Sequence, residues 1–370
     1  MADTHADHPL ETALTILPPT PPPSIPGGGR AVAVVTWFEA IVEAEPPPPN
    51  GTLDAERAAA VAFQRMAKAE NTRKAYRAAV RAWCTWCATR NLPALPACGL
   101  DVAAFLAAER QRGLTPNSID LRRAALRYLH RAAGCPVPTD DACVAETVAG
   151  IRRDATRKGQ PPTKKAAATA DLLRQILAPI PTDLRGLRDR ALILVGFAGA
   201  LRRSELAAIR VEQLEETARG LRLTLPQTKG SQTEAVTVPL PYGQTELCPV
   251  RALVAWQDAA GITAGPVFRR LWVPRHGRPD EAPPLPRVGS QPMTARSVAE
   301  IVKARAAAAG FGARNFGGHS LKRGALTTGM EHGEHPARLK RLGRHKSFNV
   351  LGEYLEFGDL FEGHPLKHVL

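Results

Sequence analysis

Apolar positions recur at helical spacing along most of the chain after residue 50. In the stretch "NTRKAYRAAVRAWCTWCATR", four apolar residues follow one another at intervals of four, three and four: Tyr76, Val80, Trp83 and Cys87. This spacing places them on one face of a helix that Asn71 or Thr72 would cap. Further helices are predicted over residues 100–112, 116–133 and 141–157. Together they predict a small all-α domain spanning residues 52–156.

The second half of the chain combines helices with one predicted hairpin. Two β-like runs within residues 221–240 flank a Thr-Lys-Gly-Ser turn that contains Lys229. Helices are predicted around this hairpin at residues 171–177, 187–206, 249–260, 294–309, 319–332, 336–342 and 349–355. The fold class expected is therefore mainly α with a small β-sheet (α+β), and residues 170–370 form its second domain.

Two segments lack any apolar period. Residues 1–50 hold eleven of the 33 prolines, a composition that sustains neither a helix nor a packed core, so residues 1–51 are predicted to be mostly disordered. Residues 157–169 ("RKGQPPTKKAAAT") are basic and contain two prolines, as is typical of a linker.

The charge is strongly positive and uneven. The chain carries a net +14, with −5 in the first 50 residues and +19 in the rest. Such an excess favours nucleic acid as the partner, with an anionic membrane as the competing class. No apolar stretch approaches the ~20 residues needed to span a bilayer, and the amino terminus lacks the pattern of a secretory signal. We expect a bacterial cytoplasmic protein, associated with the nucleoid.

Arginines recur every four residues on a second face of the first predicted helix, at Arg73, Arg77 and Arg81. A solvated charged face is one explanation of such a row. In a protein this basic, a face that contacts successive DNA phosphates is the other.

The cysteines predict neither disulfides nor a metal site. Six cysteines in a chain of 370 residues form no secreted-type framework. Cys84 and Cys87 have the spacing of half a zinc site, but no second pair with matching spacing follows. Both lie within a helical pattern and are interpreted as core thiols, with metal binding as the alternative. No metal and no cofactor are expected.

A cluster of potential cations, Gly343-Arg344-His345-Lys346, precedes Tyr354, one of four tyrosines. Taken alone, this stretch is explained by a basic loop followed by a helix whose tyrosine packs in the core. The chemical alternative is that the cations bind a phosphate that the phenol attacks.

Three segments together favour the chemical alternative. "AGALRRSELAAIR", "GGHSLKRGALTTGM" and "LGRHKSFNVLGEYL" resemble, in order and spacing, the three boxes of the tyrosine recombinases, the phage-integrase family. The resemblance covers about residues 52–365 and implies a helical core-binding (SAM-like) domain followed by a catalytic domain. It assigns site positions to Arg202, Glu205, Lys229, His319, His345 and Tyr354.

The resemblance also implies a mechanism for DNA strand cleavage and rejoining. Tyr354 would attack phosphorus and form a 3′-phosphotyrosyl link, while the Arg202 guanidinium would bind the nonbridging oxygens. His345 would donate a further hydrogen bond, Lys229 would protonate the leaving oxygen and His319 would orient or deprotonate Tyr354. Glu205 would hold this cluster in place.

One position departs from the family pattern. The second box has arginine three residues after its histidine, where this chain has Lys322, and arginine follows at Arg323. Lysine keeps the charge but loses the bidentate geometry, and on a helix Arg323 is turned about 100° from Lys322. The alternative to an active recombinase is therefore a catalytically weak or silent DNA-binding relative, and a nicking-and-resealing topoisomerase is a third hypothesis.

The partners implied by the resemblance are double-stranded DNA and further copies of the chain. In relatives, the segment after the nucleophile packs on a neighbouring subunit within a tetramer on two synapsed duplexes. The apolar residues Leu360 and Phe361 are expected to do the same here, in a homotetramer. The alternative is that they fold back on their own domain.

Overall fold

In a computed structural model, the described part of the protein is mostly helical with two small sheets. Its contacts divide the chain into two compact units, Met1–Thr163 and Lys164–Leu370. The structure describes residues 28–43, 51–66, 68–159, 165–226, 235–272 and 286–352. Among them, no helix has both the length and the apolar character needed to cross a bilayer.

The first unit is built from helices around one apolar core. Its described helices are α1 (Gly28–Val42), α2 (Leu53–Met66), α3 (Glu70–Ala88), α4 (Gly99–Gln111), α5 (Pro116–Ala132) and α6 (Ala142–Arg157). Trp83 of α3 and Phe105 of α4 are fully buried and meet edge to face, with ring centroids 5.2 Å apart. The α-helical prediction is confirmed here, and α4, α5 and α6 begin and end within one residue of the predicted bounds.

Helix α1 corrects the expectation of disorder in residues 1–51. Val34, Phe38 and Val42 are buried, and they join the same core as Trp83. The physical reason is local composition, because residues 27–45 contain no proline and carry an apolar run from Ala31 to Phe38. The proline-rich residues 1–27 and 44–50 lie outside the described part of the chain.

The two closely spaced cysteines of α3 are core thiols, as predicted. Cys84 and Cys87 are each at most 1% exposed and belong to the apolar cluster of the first unit. Burial raises the pKa of Cys84 to about 12. Across the residues that the structure describes, no three His, Cys, Asp or Glu side chains group closely enough to hold a metal ion.

In its described part, the second unit packs helices around α8 and contains two antiparallel sheets. Its described elements are α7 (Ala170–Leu177), α8 (Leu184–Ala198), α9 (Arg203–Ala207), β1 (Leu214–Thr217), β2 (Gly220–Leu225), β3 (Val236–Pro241), α10 (Pro249–Ala260), β4 (Arg269–Trp272), β5 (Arg287–Pro292), α11 (Ala295–Ala308), α12 (Ser320–Glu331), α13 (Pro336–Gly343) and α14 (Phe348–Gly352). Residues 191–195 of α8 are all buried in the apolar core.

The predicted hairpin is present as β2 and β3, which pair with Leu223 opposite Val238. Strand β1 adds a third member in the order β1-β2-β3. The turn with Lys229 lies outside the described residues. The expectation of a single sheet is wrong, because β4 and β5 form a second one. Their sequences, "RRLW" and "RVGSQP", lack the apolar alternation by which a strand is predicted.

The helix predicted over residues 187–206 is interrupted. Helix α8 ends at Ala198, Gly199 follows it, and Ala200 takes the left-handed conformation with φ 43°. Leu201 and Leu206 are nevertheless buried, so the apolar pattern continues across the break and conceals it. As a result, Arg202 does not lie within a helix but directly precedes the short α9.

The end of the predicted linker is part of the second unit. The Ala166 amide donates to the Asn315 carbonyl (2.8 Å) and the Ala168 amide to the Ser320 carbonyl (3.0 Å). Ala168 is fully buried against α12, where a Cβ on Gly324 would lie 1.8 Å from its carbonyl oxygen. Backbone hydrogen bonds therefore order residues that were predicted from composition to be a linker. Residues 160–164 are not described.

Candidate active site

Arg202 and Glu205 form the first part of the site, at the start of α9. One oxygen of Glu205, Oε2, accepts the Arg202 backbone N–H (2.8 Å), and Oε1 accepts its guanidinium (2.7 Å). The Arg202 side chain is 16% exposed and the Glu205 side chain 5%. Burial alone would raise the pKa of Glu205, but Arg344 and Arg202 outweigh burial and hold this pKa below its ordinary value. Glu205 therefore acts as a charged anchor for Arg202.

Arg344 reaches the same carboxylate from a distant part of the chain. Its guanidinium donates to Glu205 Oε2 (2.8 Å) and to the carbonyls of Gly199, Ala200 and Leu342. The side chain is 7% exposed. The carboxylate of Glu205 thus binds two guanidinium groups, that of Arg202 through Oε1 and that of Arg344 through Oε2.

Lys322 extends from α12 into the same cluster. It is fully buried, and its ammonium group donates a hydrogen bond to the carbonyl of Gly343. Burial lowers the pKa of Lys322 to about 7, and the charges of Arg202 and Arg344 add to this effect. The positively charged form of Lys322 is therefore held in place at a considerable electrostatic cost, which an anion would relieve.

His345 follows Arg344 and is 7% exposed. Burial lowers the pKa of His345 to about 4, with contributions from the charges of Lys322 and Arg202. At neutral pH the imidazole is uncharged, and it can donate one N–H to an anion without adding charge.

His319 lies at the start of α12, with its side chain exposed. The preceding Gly318 contacts Arg203, and a Cβ on this glycine would come within 2.7 Å of the Arg203 Cβ. The second box therefore begins beside Arg203, the next residue in the chain after Arg202. Arg323 is also buried, with 5% of its surface exposed. The charges that shift the pKa of Lys322 are those of Arg202, Arg344 and Glu205, and Arg323 is not among them.

The chain matches known protein families over both units. Residues 167–358 match the phage integrase family, and residues 59–134 match its N-terminal SAM-like domain. The chain belongs to the phage integrase family. Its class of activity is that of the tyrosine recombinases, site-specific DNA recombination.

Curated relatives of this integrase are recombinases. It is 34% identical to the integrase/recombinase xerD homolog of Selenomonas ruminantium over 315 residues, which are 82% of this chain and 86% of the relative. It is 28% identical to Recombinase cre of Escherichia phage P1 over 206 residues, 55% of this chain and 59% of that one.

Solved structures share the fold of this integrase at low sequence identity. One is the XerH site-specific recombinase bound to palindromic difH substrate, with a TM-score of 0.61, 12% identity, and coverage of 96% of this chain and 98% of that chain. Another is the Tn1549 transposon integrase with transposon right end DNA, with a TM-score of 0.58, 14% identity, and coverage of 83% and 96%.

The structure of the integrase brings five of the predicted site residues into one region of the second unit: Arg202, Glu205, His319, Lys322 and His345. Lys229 and Tyr354 lie outside the described residues. The predicted arginine row lies in the first unit, where Arg73 and Arg77 are half-buried and Arg81 is exposed. Arg81 is already paired, since its Nε lies 2.5 Å from Glu39 Oε1 on α1.

Arg344 is a residue of this cluster for which the sequence suggested only a possible phosphate-binding charge, not a contact with Glu205. Its charge was visible beside His345, but the family resemblance gives that position no role. Its involvement depends on a backbone turn, because Arg344 has φ 54° and ψ 48° at the end of α13. That turn directs the side chain back towards Glu205.

Proposed function

We propose that this integrase cleaves and rejoins DNA through a 3′-phosphotyrosyl intermediate formed by Tyr354. The observation that carries the proposal is the cluster around Glu205, where Arg202, Lys322 and His345 gather in one part of the second unit. Tyr354 follows His345 by nine residues in the chain, the spacing of the tyrosine recombinases.

The cluster suits the charge that develops on a transferred phosphate. Arg202, held by Glu205 and still partly exposed, would bind the nonbridging oxygens through its planar guanidinium. His345, uncharged at neutral pH, would add a neutral donor. Lys322 supplies a positive charge behind Arg202, where the family has arginine.

Tyr354, His319 and Lys229 would carry the bond changes and the proton transfers. The Tyr354 oxygen would form a bond to phosphorus as the bond to the 5′-oxygen of the next nucleotide breaks. His319 would take the phenol proton, and Lys229 would give a proton to the leaving oxygen. Rejoining reverses both transfers. The nucleophile and the cations are all side chains, so this chemistry needs no metal.

The partner in this proposal is double-stranded DNA, contacted by both units and by the arginine row Arg73, Arg77 and Arg81. Relatives solved with DNA, such as the XerH recombinase on its difH substrate, support this. We further propose a homotetramer on synapsed duplexes, anchored by Leu360 and Phe361, in the nucleoid of a bacterial cell. Its support is family resemblance, and sizing of the DNA complexes would measure it.

Substitution of the nucleophile tests the proposed function. Tyr354→Phe should bind DNA as the wild type does and form no covalent adduct on a nicked duplex, because it lacks only the attacking oxygen. Denaturing electrophoresis and mass spectrometry of the trapped complex measure the adduct. An adduct on a different residue would refute the assignment. No adduct with wild-type protein would favour the alternative, a catalytically silent DNA-binding relative.

A further inference from the structure

All the terminal donors of Arg344 are engaged by the protein itself. A guanidinium has two N–H groups on each terminal nitrogen. NH1 donates to the Gly199 and Leu342 carbonyls at 3.0 and 3.1 Å, and NH2 donates to the Ala200 carbonyl and Glu205 Oε2 at 2.9 and 2.8 Å. No terminal N–H group remains for a substrate phosphate. The role of Arg344 is therefore inside the protein.

These acceptors belong to the two parts of the chain that form the site. Gly199 and Ala200 make the turn just before Arg202, and Glu205 holds the Arg202 side chain. Ala200 is a non-glycine residue with φ 43°, a conformation that costs free energy unless its surroundings hold it. Arg344 binds the carbonyl of this residue, so it stabilises the turn that presents Arg202.

The other end of the connection is the segment that carries His345. Arg344 is itself in the left-handed conformation and is the immediate neighbour of His345. Gly343, on its other side, accepts the hydrogen bond from Lys322. The backbone at residues 343–345 is thus attached to α12 by Lys322 and to the start of α9 by Arg344.

We infer that Arg344 is a positioning residue, which holds the turn before Arg202 and the carboxylate of Glu205 in register with the segment that carries His345. This inference rests on the proposed function. It requires arginine specifically, because a lysine ammonium has three donors on one atom and cannot reach four acceptors spread around a planar fork.

The test compares Arg344→Lys and Arg344→Met with Arg338→Lys in the full-length protein. Arg338 lies on the same helix, and its side chain is 79% exposed. Single-turnover cleavage of a nicked duplex should fall about 100-fold in both Arg344 variants, as expected for a small displacement of a catalytic group. Arg338→Lys should cleave at the wild-type rate. The DNA affinity of Arg344→Lys should stay at the wild-type value, while its melting temperature should fall, because a buried side chain loses hydrogen bonds to the turn and to Glu205.

Hydrogen exchange gives a second measurement that does not need activity. Amides of residues 199–205 should exchange faster in both Arg344 variants than in wild type or Arg338→Lys, because the turn has lost its anchor. If wild-type protein forms an adduct and Arg344→Lys cleaves equally fast, the inference is wrong while the proposed function stands. If wild-type protein forms no covalent adduct, the proposed function is wrong. Unchanged exchange at residues 199–205 in the Arg344 variants would refute the positioning role of Arg344. Loss of affinity without loss of cleavage rate would refute it as well.

Discussion

Lys322 shows how one substitution from the family pattern changes the electrostatics of the site. A lysine ammonium is compact and strongly hydrated, so it loses more on burial than a guanidinium does. Here it is fully buried beside Arg202 and Arg344, and its pKa is lowered to about 7. At neutral pH the folded protein therefore contains both the charged and the neutral form, and a bound phosphate would favour the charged one.

This pKa predicts a pH-dependent stability. The unfolded chain keeps the Lys322 proton up to the ordinary pKa of 10.5, while the folded protein releases it near pH 7. Between these values the unfolded state binds more protons, so the free energy of unfolding rises with pH. The contribution of Lys322 is complete above 10.5 and is lost as pH falls to about 7. Wild-type protein should gain stability relative to Lys322→Met from about pH 7 to about pH 9 in thermal melts. A constant difference over that range would contradict the lowered pKa.

The resemblance to the three family boxes singled out Arg202, Glu205, His319, Lys322 and His345, and the structure places these residues in one region of the second unit, while their catalytic roles stay predictions. Arg344 could not be found in this way. Its direction is set by a left-handed backbone turn and by acceptors some 140 residues earlier in the chain. Local pattern contains no information about either.

At the scale of elements, α12 depends on a close backbone approach. Gly324 lies against the carbonyl of Ala168. Any side chain at position 324 would overlap the segment of residues 165–169, which precedes α7. Helix α12 carries Lys322 and follows His319. The packing of Gly324 therefore controls the depth at which two site residues are held.

We expect Gly324→Ala to destabilise the protein by about 1–3 kcal/mol, the range for forcing extra volume into a packed interior. The matched control is Gly150→Ala in α6, where a Cβ would meet nothing within 4 Å. Because alanine favours helix over glycine, the control should be neutral or stabilising by up to about 1 kcal/mol. Denaturant titration of both variants measures the difference. Equal stability of the two would mean that α12 can shift without cost.

Most helices of both units could be predicted because amphipathic helices leave a clear period in the sequence. Helix α2 and three further features could not. The break after Ala198 is concealed by an uninterrupted apolar pattern, β4 and β5 have no alternation, and α1 lies between proline-rich stretches. The break and the second sheet are defined by tertiary contacts rather than by their own sequence.

At the scale of the whole molecule, α1 brings an acidic residue of the first 50 residues into contact with a basic residue of α3. The first 50 residues carry a net −5, and one of these acids, Glu39, pairs with Arg81 of the predicted DNA-binding row. The pairing raises the pKa of Arg81 through its hydrogen bond to Glu39. In the predicted DNA complex, Glu39 would compete with a phosphate for the Arg81 guanidinium.

Removing this competitor should change the salt dependence of DNA binding. In Glu39→Gln, Arg81 becomes available to a phosphate, and the slope of log affinity against log salt should become more negative by about 0.9, the value for one added contact. Glu43→Gln, which removes the same charge just after α1, is the control and should shift affinity less and leave the slope unchanged. Fluorescence anisotropy over a salt series measures both. Identical slopes in the two variants would show that Arg81 does not contact DNA.

The hydrogen bonds of residues 166 and 168 also bear on the order in which the two units can fold during synthesis. Their partners, Asn315 and Ser320, leave the ribosome long after the first unit, whose core lies within residues 34–151, has emerged. The first unit can therefore fold on the nascent chain while the second still lacks α12. Glu205, which holds Arg202, gains its contact with Arg344 only after residue 344 has been synthesised. A chain released early would carry a folded first unit without an assembled cluster around Glu205, so incomplete products should be unable to cut DNA.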